Sequence, residues 1–467
     1  MPHEIGGGHR TGATVASLAA TGSVGVVLAW LDIVLIRHRF ALGLWIIAVA
    51  LLAVFLVRSR VGGKLAVVGT TLGVSVVITQ VAWLGTGIHP LGVICSIVAI
   101  ASGFASLVAA WSMRTTDRWR RARRAVKVAI AIPIGCAAGG AVLISALMIT
   151  LAASPAPVVR ALQDFADSNS FESRTPMSTT IFAGAGLTSD IEYGSTLPNS
   201  YLDVYIADND RSVSRPTYVM VHGGGWVAGD KADGDPGSST GSPYFAAGAG
   251  PVLGAGYNLV SVNYAFAPEY RFPTQTRQLG EALQFLNANS DRYGLDMSRI
   301  VLAGSSAGGQ IVGSYANVQT NPEYARAVGI EPTIDRSALK AMVFDSALLD
   351  VGRAGTPQSP SPSNGFGYEL GARSYLDTTD AESLALANVV DHATSDFPPS
   401  FIADGNTGTF PDQAAELSAT LDRVGVENRL NLYSRNEATL DHAFMVTGSR
   451  WTEEYNRSKI EFLRDVV

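Results

Sequence analysis

The chain has 467 residues, a net charge of −6 and 47% hydrophobic residues, but only 16% charged residues against about 25% in an ordinary soluble protein. That balance excludes a disordered chain, argues against a wholly soluble one and gives no reason to expect nucleic-acid binding. The average hides a division: residues 1–151 hold 13 Lys and Arg against 3 Asp and Glu, while residues 152–467 hold 21 against 37. Both cysteines, Cys95 and Cys136, lie in the basic front part. A disulfide framework or a cysteine-based metal site is therefore excluded from the acidic remainder.

Five apolar stretches follow one another in the front part, at about 13–36, 41–57, 65–84, 91–111 and 128–151. A bilayer core of ~30 Å takes about 20 apolar residues as a helix, and the second stretch is near the lower limit. The pattern predicts an all-α transmembrane domain of about five helices over 1–151, since a cleaved signal peptide supplies one such run. Asp32 is the one acid inside a span and reads as an interfacial carboxylate. The segments facing one side carry Arg10, Arg58, Arg60, Lys64, Arg114 and the run Arg118–Lys127, against Arg37 and Arg39 on the other. The basic side is expected in the cytoplasm, which puts the acidic part outside it. The run Arg118–Arg124 reads as a topology signal, with anionic lipid headgroups as the alternative partner.

Residues 152–175, with Pro155, Pro157, Ser168 and Ser170, read as a linker, and 176–467 as one further domain. In it, β-rich runs at 201–207, 217–221, 258–263, 300–303, 341–344, 400–403 and 429–433 alternate with helical patterns near 275–290, 306–319, 381–390, 412–424 and 451–465. Strand, helix, strand in succession predicts an α/β domain with a mostly parallel sheet, whose ligands bind at the carboxyl ends of the strands. The Gly-, Pro- and Ser-rich stretch 351–375 reads as a flap over that edge.

Two motifs fall directly after predicted strands. Gly304-Ser305-Ser306-Ala307-Gly308 has the G-x-S-x-G form, between a strand and a helix. There a sharp turn presents Ser306 as a nucleophile, and glycines remove the Cβ atoms that would clash. His222-Gly223-Gly224-Gly225-Trp226 is the second. Its glycines let backbone N–H groups turn toward one point, so Gly224, Gly225 and Ala307 are the expected oxyanion donors. His222 reads as a structural hydrogen-bonder, and Trp226 as a lining of the acyl pocket or as core. A general base must come late in the chain, and His442, in Leu440-Asp441-His442-Ala443-Phe444, follows the last strand. His392 reads as a surface residue. No zinc, phosphate-loop or dinucleotide motif is present.

Together these residues resemble the α/β-hydrolase superfamily, and within it the HGGG-containing carboxylesterases of the hormone-sensitive-lipase and feruloyl-esterase-like type. The stretches "YLDVY" at 201–205, "HGGGWVAGDK" at 222–231, "NYAFAPEYRFP" at 263–273 and "RIVLAGSSAGG" at 299–309 are all similar to that family's. The resemblance implies an α/β-hydrolase fold, Ser306 as nucleophile, His442 as base and no cofactor. One feature departs from it: the family usually has Gly-x-x-Asp after the penultimate strand, and Gly408 stands at the Asp position. Asp412 is the favoured substitute. Asp404 and Asp441 are alternatives, and Asp345 and Asp350 are more remote ones.

The expectation is a membrane-anchored serine hydrolase, extracytoplasmic in its catalytic domain and acting on carboxylic esters through an acyl-enzyme intermediate. Its partners would be an ester substrate, lipid or envelope-derived among the choices, and membrane lipids, with no nucleic acid and no metal. The rival readings are a hydrolase-like receptor or scaffold that has lost the acid, and an amidase or acyltransferase using the same Ser–His site.

Overall fold

The computed structural model describes residues 153–166, 178–181, 184–232, 243–357, 362–378 and 380–467, together with Arg121 and Thr150. Apart from Thr150, the five expected membrane spans lie outside the described residues. Among the described residues no helix is long and apolar enough to cross a membrane. The chain divides at Val158/Val159, and the second unit, Val159–Val467, holds the α/β domain.

Among the described residues nine strands form one sheet: β1 (Ser178–Thr180), β2 (Gly186–Glu192), β3 (Tyr201–Ile206), β4 (Pro216–Val221), β5 (Asn258–Val262), β6 (Asp296–Ser305), β7 (Leu339–Asp345), β8 (Ser400–Asp404) and β9 (Asn428–Leu432). Their spatial order is β1-β2-β3-β5-β4-β6-β7-β8-β9. The first three pairings are antiparallel, and every pairing from β5 to β9 is parallel. The seven strands expected from sequence are all present, and β1 and β2 extend the antiparallel edge. The helices of ten or more residues among the described residues are α1 (Ala156–Ala166), α2 (Pro243–Gly254), α3 (Thr274–Ala288), α4 (Ala307–Thr320), α5 (Pro362–Leu376), α6 (Pro411–Val424) and α7 (Arg450–Val466).

Successive side chains of a strand point to opposite faces, and the core follows that period. Val219, Val221, Val260, Val262, Leu302, Met342, Phe344 and Ile402 pack with α3, α4 and α6 on one face. Tyr218, Leu259, Val301, Ala303, Val343 and Phe401 pack with α2 and α7 on the other. Strands covered on both faces read as continuous apolar runs, as in Ala341–Phe344 of β7, where all four residues are buried.

Two charged clusters are buried in this frame. The Lys231 Nζ lies 2.7 Å from Asp190 and 3.0 Å from Asp203, tying the end of the His222–Lys231 segment to β2 and β3. Burial works against the Lys231 charge, but the carboxylates outweigh it and hold its pKa above the ordinary value. On the opposite face the Tyr455 hydroxyl donates to Asp345 at 2.6 Å, and the Lys459 ammonium stands over the Tyr455 ring.

The sequence is more helical at two places than its composition indicates. Residues 156–166 form α1 where linker was expected, because Val159 is buried and Gln163 donates to the carbonyls of Val227 (2.7 Å) and Ala267 (2.9 Å). Within the expected flap, Pro362–Leu376 is the helix α5. Its glycines lower helix propensity, but Ala372 and Tyr375 bury into the core and outweigh that cost.

Candidate active site

Strands β4, β6, β7, β8 and β9 are neighbours or near neighbours in the sheet. The segments that leave their carboxyl ends carry the predicted residues. After β6 the chain turns straight into α4, and the turning residue is Ser306, with φ 53° and ψ −118°. A non-glycine residue held at such angles costs about 1–3 kcal/mol and persists only where its surroundings fix it. Here the Ser306 N–H donates to the Asp345 carbonyl at 3.0 Å, and the Ser306 carbonyl accepts from Leu348 at 3.2 Å and Gly309 at 3.0 Å. A Cβ at position 304 would overlap the backbone of Gly308, and one at 308 would overlap the carbonyls of Val221 and His222. The two glycines thus let the start of α4 press against the end of β4.

The glycine loop approaches the same point. A Cβ on Gly223 would lie 3.2 Å from the Ser306 Cβ. Gly224, Gly225 and Trp226 then take φ of 104°, 61° and 63° in succession, turning the backbone amides away from the ordinary strand direction. The Gly224 carbonyl is taken by Val227 and Ala228. Among the described residues the N–H groups of Gly224, Gly225 and Ala307 have no hydrogen-bond partner. The structure therefore brings the glycine loop, through Gly223, against Ser306 at the start of α4.

His222 faces back into the loop: its Nδ1 lies 2.7 Å from the Gly223 carbonyl and its ring stacks on Tyr264 at 4.4 Å. Trp226 is not a pocket wall. It is 0% exposed and stacks on Tyr375 at 4.5 Å, so the core alternative describes it, and its ring face is already occupied by α5. His392 sits away from the site, against Tyr324.

His442 is delivered by the loop after β9. Asn406, just beyond β8, clamps that loop: its amide donates to the carbonyls of Tyr433 and Ala438 and its oxygen accepts from the Leu440 N–H. The N–H groups of Asn406 and Thr407 both donate to the Leu440 carbonyl. The next residue, Ala443, donates to the Ser346 hydroxyl at 3.2 Å, one residue beyond the Asp345 carbonyl that holds Ser306. Helix α5 spans both halves. The Tyr368 ring lies 5.2 Å from the His442 ring, and Gly371, one turn on, abuts the Gly225 carbonyl so closely that a Cβ would lie 2.7 Å from it. Burial pushes the His442 pKa down to about 4, which keeps the imidazole neutral and able to accept a proton at neutral pH.

The favoured acid, Asp412, is elsewhere. At the start of α6 it faces Arg353 at 3.3 Å, in a network with Asp350 and Glu416. Its nearness to Gly408 made it eligible by sequence, but a guanidinium takes it. The atom on His442 is one that sequence reasoning missed: the Thr409 Oγ1 lies 2.9 Å from Nδ1. The same hydroxyl donates to Asp404 Oδ1 at 2.6 Å. The only sequence signal was indirect, a polar Asp404 ending an otherwise apolar strand just before a loop without the usual Asp. Among the described residues no group of three or more His, Cys, Asp or Glu side chains is placed to hold a metal.

The family model BD-FAE matches residues 202–421. Carboxylesterase NlhH of Mycobacterium tuberculosis is 28% identical over 242 residues, covering 49% of this chain and 66% of the relative. Arylacetamide deacetylase of Oryctolagus cuniculus is 32% identical over 124 residues, covering 26% of this chain and 29% of the relative. The chain thus spans less than two thirds of the length of these curated relatives. Among solved structures, esterase B from Lactobacillus Rhamnosis superposes with a TM-score of 0.51 and 18% identity over 66% of this chain and 91% of that one. The second unit of this chain has the α/β-hydrolase fold, with a mostly parallel sheet, and its sequence is similar to carboxylesterases of that fold.

Proposed function

We propose that the protein is a carboxylic ester hydrolase working through Ser306. The observation that carries this reading is the meeting of a strained serine at a helix start with a glycine loop whose amides are unoccupied. The resemblance to named carboxylesterases supports the same class. A tributyrin phosphonate, an ester mimic, is the inhibitor in one crystal structure of the neighbour esterase B.

In this mechanism Ser306 Oγ attacks the ester carbonyl carbon while His442 Nε2 takes its proton. The carbonyl oxygen becomes an oxyanion held by the amides of Gly224, Gly225 and Ala307, each worth about 3–4 kcal/mol in the transition state. His442 returns the proton to the departing alcohol, leaving an acyl group on Ser306. Water then attacks that acyl carbon by the reverse path, with His442 as base, and the acid leaves. The low pKa of His442 supports its part, since the base must be unprotonated to begin.

The front part adds a location to this proposal: its apolar runs and basic loops support a membrane anchor with the hydrolase outside the cytoplasm. Esters of lipids or of the cell envelope are the substrates such a site would meet. The test is hydrolysis of p-nitrophenyl acetate and butyrate by the full chain, paired with fluorophosphonate labelling. Hydrolysis and labelling that both vanish in Ser306→Ala are expected. A folded chain that hydrolyses neither ester and takes no label would favour the receptor reading.

A further inference from the structure

We infer that His442 is oriented by a relayed carboxylate, with Asp404 acting through the hydroxyl of Thr409 instead of touching the imidazole. This rests on the reading of Ser306 and His442 as nucleophile and base. Both Asp404 and Thr409 are 0% exposed, so water does not compete for the connection. The carboxylate is anchored on both oxygens: Oδ1 accepts from the Gly405 N–H at 2.7 Å and from Thr409, and Oδ2 accepts from the Phe410 N–H at 2.9 Å.

The direction of each bond follows from the groups. An ionised carboxylate only accepts hydrogen bonds, so the Thr409 hydrogen points at Asp404. The Thr409 oxygen then has only lone pairs left for His442, which forces the hydrogen onto Nδ1 and leaves Nε2 free to take the Ser306 proton. A triad acid supplies the same tautomer by direct contact. A hydroxyl between the two transmits the choice of tautomer but less of the charge.

The other carboxylates are engaged elsewhere. Asp412 and Asp350 face Arg353. Asp345 is held by Tyr455 on the far face. Asp441 is exposed, and its backbone bridges to Thr407. Gly408, at the position where an acid was expected, has φ 62° and gives its carbonyl to the Tyr368 hydroxyl at 3.1 Å. The missing acid is thus made good by the strand end behind it.

The relay makes a pH-dependent prediction. The titratable groups facing it are Tyr368 from α5 and Asp441 and His442 from the loop after β9. Tyr368 stays protonated, its pKa raised by burial. Burial also raises Asp404, to about 6, against the hydrogen bonds from Thr409, Ser346, Gly405 and Phe410. As pH falls through about 6, Asp404 takes a proton and donates it to Thr409. The Thr409 hydrogen then turns to Nδ1, and the ring is driven to the Nε2–H tautomer, which cannot act as base. The wild-type acidic limb therefore follows Asp404 near pH 6, not His442 near pH 4.

The experiment measures kcat, KM and the pH dependence of fluorophosphonate labelling for the full-length wild type, Thr409→Val, Thr409→Ser and Asp404→Asn, with thermal unfolding to confirm that each folds. Thr409→Val is expected to lower kcat about 100-fold, less than the ~10⁴ for a directly bonded acid, with KM changed by less than about threefold. Its acidic limb moves from near pH 6 toward pH 4, because only His442 then titrates. Thr409→Ser keeps both the rate and the limb of the wild type, and Asp404→Asn behaves as Thr409→Val does. A folded Thr409→Val with wild-type kcat and limb overturns the relay while leaving the esterase reading intact. A folded wild type in which Ser306 takes no label overturns both.

Discussion

The two halves of the candidate site are built from different materials. The Ser306 half is made of backbone. Gly304 and Gly308 let α4 press on β4, Gly223 lets the loop meet Ser306, and Gly224, Gly225 and Trp226 hold left-handed angles that turn the amides. The His442 half is made of side chains. Asn406 holds the loop after β9, Ser346 takes the Ala443 N–H, and Thr409 joins the ring to Asp404. A backbone device has few substitutes, because only glycine fits where a Cβ would overlap backbone, as at 224, 304 and 308. A side-chain device can be rebuilt with other residues, since any hydrogen-bonding group at the right place serves. Gly408, at the position where an acid was expected, lies in this second half.

This contrast sets the size of the expected effects. Ser306→Ala removes the attacking oxygen and should cost about 10⁶ in kcat on a p-nitrophenyl ester, as loss of a nucleophile does in known triads. Gly224→Ala tests the backbone half. Its Cβ would overlap the Ala228 carbonyl, and its φ of 104° is strained for any side chain. The loop must open, and the loss of an oxyanion donor should lower kcat about 10²–10³-fold.

On the side-chain half, stability should carry a signature in pH. The unfolded chain binds a proton at His442 below about 6.5, while the folded chain, with its pKa lowered to about 4 by burial, does not. The contribution of His442 to stability therefore falls as pH drops from 6.5 toward 4, by as much as roughly 3 kcal/mol at the lower end, while Asp404, raised to about 6, works in the opposite direction with or without the imidazole. His442→Gln removes that slope, so urea unfolding of the two proteins should diverge at pH 4.5 and agree at pH 8, apart from a constant offset. Asn406→Ala is the mildest. It leaves the Leu440 N–H and the Ala438 carbonyl without their partner, a loss of about 1–3 kcal/mol per unsatisfied buried group. Thermal unfolding should register it, and kcat should fall through looser placement of His442.

The same contrast explains what the sequence made legible. The sheet could be read because most of its strands are short apolar runs between turns, and the turn at Ser306 and the loop after β4 because glycines at fixed spacing mark them. β1 was invisible for the opposite reason: Ser178–Thr180 is three polar residues that pair only because β2 offers an edge. α5 was hidden by its glycines and revealed only by what it buries. Trp226 read as pocket lining or as core from its position after the glycines, and Tyr375, 149 positions on by numbering, covers it. Thr409 carried no signal of its own, since a threonine five residues beyond a strand is unremarkable until a carboxylate and an imidazole are seen on either side of it.

The convergence of the two halves is tested most directly by the structure of the full chain after reaction with an alkyl phosphonate ester. The account predicts phosphorus bonded to Ser306 Oγ, with the phosphoryl oxygen about 2.7–3.1 Å from the amides of Gly224, Gly225 and Ala307. His442 Nε2 would lie within hydrogen-bond reach of the Ser306 oxygen, and Thr409 would still bridge Nδ1 to Asp404. Phosphorus on another residue, or an imidazole standing away from Ser306 in the adduct, would contradict it.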